Sequence, residues 1–322
     1  MSSSAFANDE YDLSDFRDLT TGPAELTWPD AFRPNPATSD QAIPADWTLD
    51  YQEVEETTVD GQRLSTWDLC QKGERGPEPR PDWVITEHAA VDTELGILKT
   101  GKEADVFLVE RSLAEQVELG IAGKSVVMAA KRYRTEEHRS FHRSTVYVEG
   151  RRTKRSRDAR AVAKKTAYGR SVASGEWAYA EFFALSRLWS AGVPVPYPVQ
   201  IHGTELLMEL ITVDGVAAPR LAQVRPALDL LEHYFDQMRD AMAALARAGW
   251  AHGDLSAFNI LAAGERLVII DLPQLVDIVG NPQGIDLLAR DCKNVCSWFR
   301  ARGLSVDEDA LFGELVAESF GA

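Results

Sequence analysis

Residues 252–271 begin His252-Gly253-Asp254-Leu255-Ser256-Ala257-Phe258-Asn259 and close on Leu267-Val268-Ile269-Ile270-Asp271. An Asp, an Asn five residues on, and a second Asp at the end of a strand have the order of a phosphoryl-transfer loop with its metal site. Each residue has its own partner in that chemistry. Asp254 must reach an acceptor hydroxyl, whereas Asn259 and Asp271 must converge on magnesium bridging nucleotide phosphates. Two apolar runs, Ile260-Leu261-Ala262 and Leu267 to Ile270, bracket the turn Ala263-Gly264-Glu265-Arg266 and read as strands.

The other half of an ATP site belongs upstream, and it is there. In Leu98-Lys99-Thr100-Gly101-Lys102-Glu103-Ala104-Asp105-Val106-Phe107-Leu108-Val109 a glycine turn precedes alternating apolar residues. That pattern suits a loop whose backbone lies over phosphates between two strands, with Thr100, Gly101, Lys102 and Val106 against the nucleotide. Further on, the apolar strand Val126 to Ala130 ends in Lys131, placed to pair with the α and β phosphates. Glu181, in the helical stretch Glu176 to Leu185, is the carboxylate that would orient it. Val199 to Ile201 and Leu206 to Ile211 read as a strand pair turning at Gly203-Thr204. The second strand should end in a hinge between two lobes, where the backbone of Glu209 to Ile211 meets adenine and Met208 lines the pocket wall. Ser256 and Asn259 complete the nucleotide-binding set.

These pieces resemble a RIO-type atypical serine/threonine protein kinase, most nearly the first RIO subfamily. The matching motifs are Thr100 to Phe107, Ala129-Ala130-Lys131, Ala191-Gly192-Val193-Pro194-Val195-Pro196, Leu207 to Ile211, the loop above, Ile270-Asp271-Leu272-Pro273-Gln274, and Leu288 to Val295. The resemblance covers roughly residues 85–303 and departs from the family at Gly253, where alanine is common, and at Pro273, where serine is common. It implies an α+β, bilobal, protein-kinase-like fold. The N-lobe is an antiparallel sheet plus a helix; the mainly helical C-lobe lacks an activation segment and peptide-binding helices. It also implies ATP and Mg2+, catalytic roles for Asp254 and Asp271, Asn259 and Asp271 as metal ligands, and self-phosphorylation on Asp271. Members are described as Ser/Thr kinases that act chiefly as ATPase switches on ribosomal particles.

Two absences agree with this. Gly253 stands where many protein kinases carry an Arg that reads a phosphorylated activation loop, and Leu272-Pro273 follows the metal Asp instead of Phe-Gly. Only 51 residues of the 322 follow Asp271, too few for an activation segment and a peptide platform. The enzyme is therefore expected to be active without loop phosphorylation. A small-molecule phosphotransferase of the aminoglycoside or fructosamine kinase kind shares His-Gly-Asp-Leu. Those enzymes usually carry a large C-terminal substrate subdomain, however, and lack Gly101-Lys102-Glu103-Ala104. A nucleotide-binding interaction protein of ribosome assembly, without turnover, is the other alternative; here every catalytic position is filled.

Composition suits a cytoplasmic enzyme, with 45% hydrophobic residues and no apolar run near the roughly 20 needed to span a bilayer. The acidic N-terminus is not expected to act as a signal peptide. Three cysteines, two of them one helical turn apart at Cys292 and Cys296, read as reduced thiols, and the scattered histidines offer no zinc site. The net charge of −16 is unevenly placed. Residues 1–60 hold 14 acidic and 2 basic side chains; residues 131–170 hold 14 basic and 4 acidic. Residues 1–80 are expected to be an acidic, mostly disordered extension ending at Gly76-Pro77-Glu78-Pro79-Arg80-Pro81, with Tyr11 to Phe16 a short docking helix. Residues 81–210 would form the N-lobe, with a basic flexible loop at 132–175, and residues 211–322 the C-lobe. The basic stretch 131–170 is where RNA of a ribosomal particle would be drawn, besides a protein substrate or the chain itself. Helices are predicted over Glu176 to Ala191, ending at Gly192; over Pro226 to Ala248, with the proline first; and over Ile285 to Arg300 and Asp307 to Ser319.

Overall fold

Alternation of apolar and polar residues between Val91 and Tyr133 produces three long antiparallel strands, the third of which carries Lys131. The structure is a computed structural model that describes residues 61–101, 103–114, 123–134, 167–272 and 275–321. Strands β1 (Gln62–Leu64), β2 (Val91–Thr100), β3 (Ala104–Leu113) and β4 (Lys124–Tyr133) continue into β6 (Glu205–Glu209) and β5 (Pro198–His202) in one six-stranded sheet ordered β1-β2-β3-β4-β6-β5. All its pairings are antiparallel. Helix α1 (Ala167–Ser190) lies on one face of it. After two short strands, β7 (Thr212–Val213) and β8 (Val216–Ala217), comes a helical half. It holds α2 (Leu228–Arg247), β9 (Trp250–Ala251), β10 (Ile260–Ala263), β11 (Arg266–Ile269), β12 (Val276–Asp277), α3 (Gly284–Arg300) and α4 (Glu308–Phe320).

A single apolar cluster runs from the inner face of α1 (Phe182, Leu185, Leu188) through α2 (Leu231, Met238) to α3 (Val295, Phe299). The bilobal, kinase-like architecture expected from the sequence is thus present: sheet plus helix above, mainly helices below. Inside the sheet, Arg111 is fully buried and grips Asp92, its register partner, through two bonds of 2.7 and 2.9 Å, with Gln200 at 2.9 Å. A buried guanidinium is tolerable only when paired in this bidentate way. It locks β2, β3 and β5 into one rigid platform.

Several boundaries move. The expected disordered extension reaches less far than residue 80, because residues from Gly61 onward join the sheet. Gln62 pairs with Thr93 in β1. Trp67 is 4% exposed and packs with Val109, Met128 and Tyr197, while Arg75 and Arg80 stack over its ring at 5.0 and 5.1 Å. One large aromatic outweighed the polar composition around it. Gly76 is no linker: a side chain there would come within 2.0 Å of the Pro198 carbonyl, so glycine permits the close approach to β5. The basic loop predicted at 132–175 is shorter at both ends, since Arg132 and Tyr133 belong to β4 and residues from Ala167 on are helical. Its remainder, residues 135–166, and the acidic residues 1–60 lie outside the described residues. So do Lys102, Pro273 and Gln274. Pro226 precedes α2, whose N-cap is Ala227, and Asp307 caps α4 by accepting from the Ala310 N–H at 3.0 Å. Cys70, Cys292 and Cys296 are free and buried, and no helix among the described residues is long and apolar enough to cross a membrane.

Candidate active site

Lys131 stands near the end of β4, and its ammonium lies 2.8 Å from the Glu181 carboxylate and 2.9 Å from that of Asp271. One residue from the sheet, one from α1 and one from the helical half therefore meet at a point. Burial disfavours charge on the Lys131 ammonium, but Asp271 and Glu181 outweigh it and hold its pKa well above the ordinary value. The same contacts act on Asp271 in reverse. Burial pushes its carboxyl up, while the Lys131 charge beside it pulls the result down to about 2. Tyr133, two residues along β4, donates its hydroxyl to the second Glu181 oxygen. Glu181 is only 2% exposed and is fixed at both oxygens, so it has one orientation to offer Lys131.

The loop carrying Asp254 is shaped by its neighbours more than by itself. Gly253 has a φ of +84°, a conformation glycine adopts freely. Asp291 of α3, 1% exposed, accepts the Gly253 N–H and the Leu255 N–H, both at 2.8 Å. Arg290 donates to the Gly253 carbonyl, and Asn294 to that of Leu255 at 3.1 Å. Three side chains of one helix thus hold the backbone on both sides of Asp254. His252 ties this loop to the end of the hairpin: Nδ1 accepts the Asp254 N–H at 3.3 Å and Nε2 faces the Ile270 carbonyl at 3.1 Å. Burial raises the pKa of Asp254, with His252 and Arg290 opposing the rise.

Asn259 is brought to the same place. Its side-chain amide donates to the Asp254 carbonyl at 2.9 Å, and its own carbonyl accepts the Ile270 N–H at 2.9 Å, one peptide from Asp271. Its Oδ1 is buried with no hydrogen-bond partner. A buried acceptor left open is costly unless something fills it. Asp271 has a φ of +67°, unusual for a residue with a side chain though Asp and Asn tolerate it best. An Asp carboxylate that already draws a cation and an orphaned amide oxygen are the oxygen donors a hard divalent ion takes.

The remaining predicted residues are less uniformly placed. Gly101 closes a turn by donating to the Ala104 carbonyl at 3.0 Å, and a side chain there would meet that oxygen at 2.7 Å. Thr100 pairs with Asp105, and Val106 sits in register with Lys131. Met208 is partly buried against the central core. The Ser256 carbonyl accepts the Asn259 N–H at 2.9 Å, forming the turn of the loop. The hinge expectation narrows, because Glu209 donates its N–H to Tyr197 and Ile211 gives its carbonyl to Ala218, both spent inside the protein. The Ile211 side chain is buried with Ala218 and Val268. The anchoring roles of Asp291, Asn294 and Tyr133 are visible only in three dimensions, although the run Arg290-Asp291-Cys292-Lys293-Asn294 was part of the sequence pattern.

Removing the Asp291 carboxylate should strand two buried N–H groups, at a cost of about 1–3 kcal/mol each. Asp291→Ala should therefore lower the urea midpoint and turnover together, and Asp291→Asn, which retains one acceptor, should lose less. An unchanged midpoint in the alanine variant would show that the staple is not supporting the loop.

A two-lobed fold with a buried Lys–Glu pair, an anchored loop aspartate and a strand-end aspartate defines a protein-kinase-like phosphotransferase. A family model described as the RIO domain matches residues 115–311. The RIO-type serine/threonine-protein kinase Rio1 of Haloferax volcanii is 32% identical over 228 residues, covering 71% of this chain and 70% of that one. The Saccharomyces cerevisiae serine/threonine-protein kinase RIO1 is 29% identical over 240 residues, 70% of this chain and 48% of the yeast protein. Among solved structures, the Rio2 kinase from Chaetomium thermophilum aligns with a TM-score of 0.44 and 21% identity, covering 70% of this chain and 67% of that one. The chain belongs to the RIO family of serine/threonine-protein kinases.

Proposed function

We propose that Lys131, Asp254, Asn259 and Asp271 form one magnesium–ATP site, that this site transfers the γ-phosphoryl group to a Ser/Thr hydroxyl or to water, and that Asp271 can itself accept it. The observation that carries this reading is the meeting of Lys131, Glu181 and Asp271 within 2.9 Å, drawn from three elements far apart in sequence. Lys131, held by Glu181, positions the α and β phosphates. Asp254 accepts the acceptor's proton as the bond from the γ-phosphorus to the ADP oxygen breaks and the bond to the acceptor oxygen forms. Asn259 Oδ1 and the Asp271 carboxylate would hold magnesium, which would supply charge neutralisation for the phosphate being transferred. Thr100, Gly101 and Val106 cover the nucleotide from the sheet, and Met208 walls the base.

Attack by an Asp271 oxygen on the γ-phosphorus would give an acyl phosphate and ADP. Phosphate release from ATP alone, measured beside transfer to a protein acceptor and to aminosugars, tests the reading. Turnover with ATP alone or with protein, and none above background with sugars, is expected. Sugar-dependent turnover would assign the site to small-molecule phosphotransfer.

A further inference from the structure

Two cations beside Asp271 have no part in the site as described. Lys99 is the penultimate residue of β2, and the sheet register carries its row through Val106 of β3 to Lys131 of β4. Directly opposed residues of antiparallel strands project to one face, so Lys99 and Lys131 share the face that meets Asp271, two strands or roughly 10 Å apart. A register irregularity between Ile97 and Lys99 sets this aim. Arg220 comes from the opposite lobe, sewn to the catalytic hairpin. The Pro219 carbonyl accepts from Ala262, Ala222 donates to Ala257, both at 2.9 Å, and Arg220 itself bridges to Leu261.

Lys99 and Arg220 are close enough for their charges to repel, and both feel Asp271. Neither makes an ion pair among the described residues. Burial, with Arg220 adding to it, pushes Lys99 down to about 8, and burial lowers Arg220 as well. Three cations, Lys99, Lys131 and Arg220, thus face the Asp271 carboxylate, which already bonds Lys131. Lys99 and Arg220 are left without an ion-pair partner of their own among the described residues, one on each side of the cleft.

Building on the nucleotide-site reading, we infer that Lys99 and Arg220 are a clamp on the terminal phosphates of the nucleotide, one jaw from each lobe, so that the lobes close on a triphosphate more tightly than on a diphosphate. Lys99 grips as a flexible point charge and Arg220 as a planar fork on a rigid base.

Titrations of the full chain with ATP, ADP and adenosine, for wild type, Lys99→Gln, Arg220→Gln and Lys131→Ala, test this. Loss of one charge-assisted contact should weaken ATP about tenfold in each glutamine variant, ADP less than about threefold, and adenosine not at all. Arg220→Lys should restore part of the ATP affinity. Equal ATP and ADP losses, unchanged affinities with melting temperatures intact, or a raised KM for the phosphoryl acceptor alone would each overturn the clamp. Wild-type protein binding no ATP, with Lys131→Ala indistinguishable from it, would instead overturn the nucleotide site on which the clamp rests.

Discussion

Replacing Asp254 by alanine should lower kcat on the order of a hundredfold or more while leaving nucleotide affinity close to that of the wild type. The separation follows from where the side chain sits. Its backbone is fixed by the Asp291 staple and by Asn259, so truncation removes the carboxylate without releasing the loop. Lys131, Glu181 and Asp271, the groups proposed to hold phosphates and metal, bond one another without it. The pH profile offers a second readout. A carboxylate base works ionised, so activity is present above its pKa and lost as pH falls through it. Burial raises Asp254, which moves that acid limb above the ordinary carboxylate value of about 3.9. Asp271, held at about 2, stays charged throughout the limb and cannot produce it. Arg290 opposes the rise at Asp254, so Arg290→Gln should shift the limb further upward. Near wild-type turnover in Asp254→Ala would remove the base role, and a limb unmoved by Arg290→Gln would assign it to another group.

The residues proposed to react were legible in the sequence because phosphoryl transfer demands different residue types at fixed separations. His252 to Asn259, then a hairpin, then Asp271 leaves few folds that satisfy it. Lys131 was legible as the polar end of an apolar strand, and Glu181 as an acid in an otherwise apolar helix. What escaped depends on contacts between distant segments. Asp291 looks like any helix carboxylate until α3 packs beneath the loop and two N–H groups find it. Trp67 sits in a polar stretch whose composition argues for disorder, and only its packing against Val109, Met128 and Tyr197 explains why that stretch folds. The hinge was expected at the end of β6, where two of its backbone groups are spent on Tyr197 and Ala218. Strand patterning gives the element, not its hydrogen-bond partners. Lys99 was passed over for the same reason, since its row across the sheet exists only once the register is known.

Asp271→Asn is the sharpest test of the proposed metal half of the site, because it changes charge and almost nothing else. The residue holds a φ of +67°, which most side chains resist but which Asn accepts about as well as Asp, so the backbone should keep its course. The oxygen that lies 2.9 Å from Lys131 would persist as an amide oxygen, or as an N–H that must turn away. Lys131 keeps Glu181 as a partner at 2.8 Å, so the buried ammonium is not left unpaired and global stability should fall little. The loss falls on the divalent cation, for which a neutral amide is a far poorer ligand than a carboxylate. Half-maximal activity should then require on the order of tenfold more magnesium, and turnover at saturating magnesium should fall about a hundredfold, as when one preorganised charge-stabilising group is removed from a transition state. If Asp271 also accepts the phosphoryl group, a hydroxylamine-labile adduct should form on the wild type with ATP and be absent from the variant. A variant with wild-type magnesium dependence would deny Asp271 its ligand role. An adduct that persists in Asp271→Asn would place the phosphoryl group on a different residue while leaving the metal assignment intact.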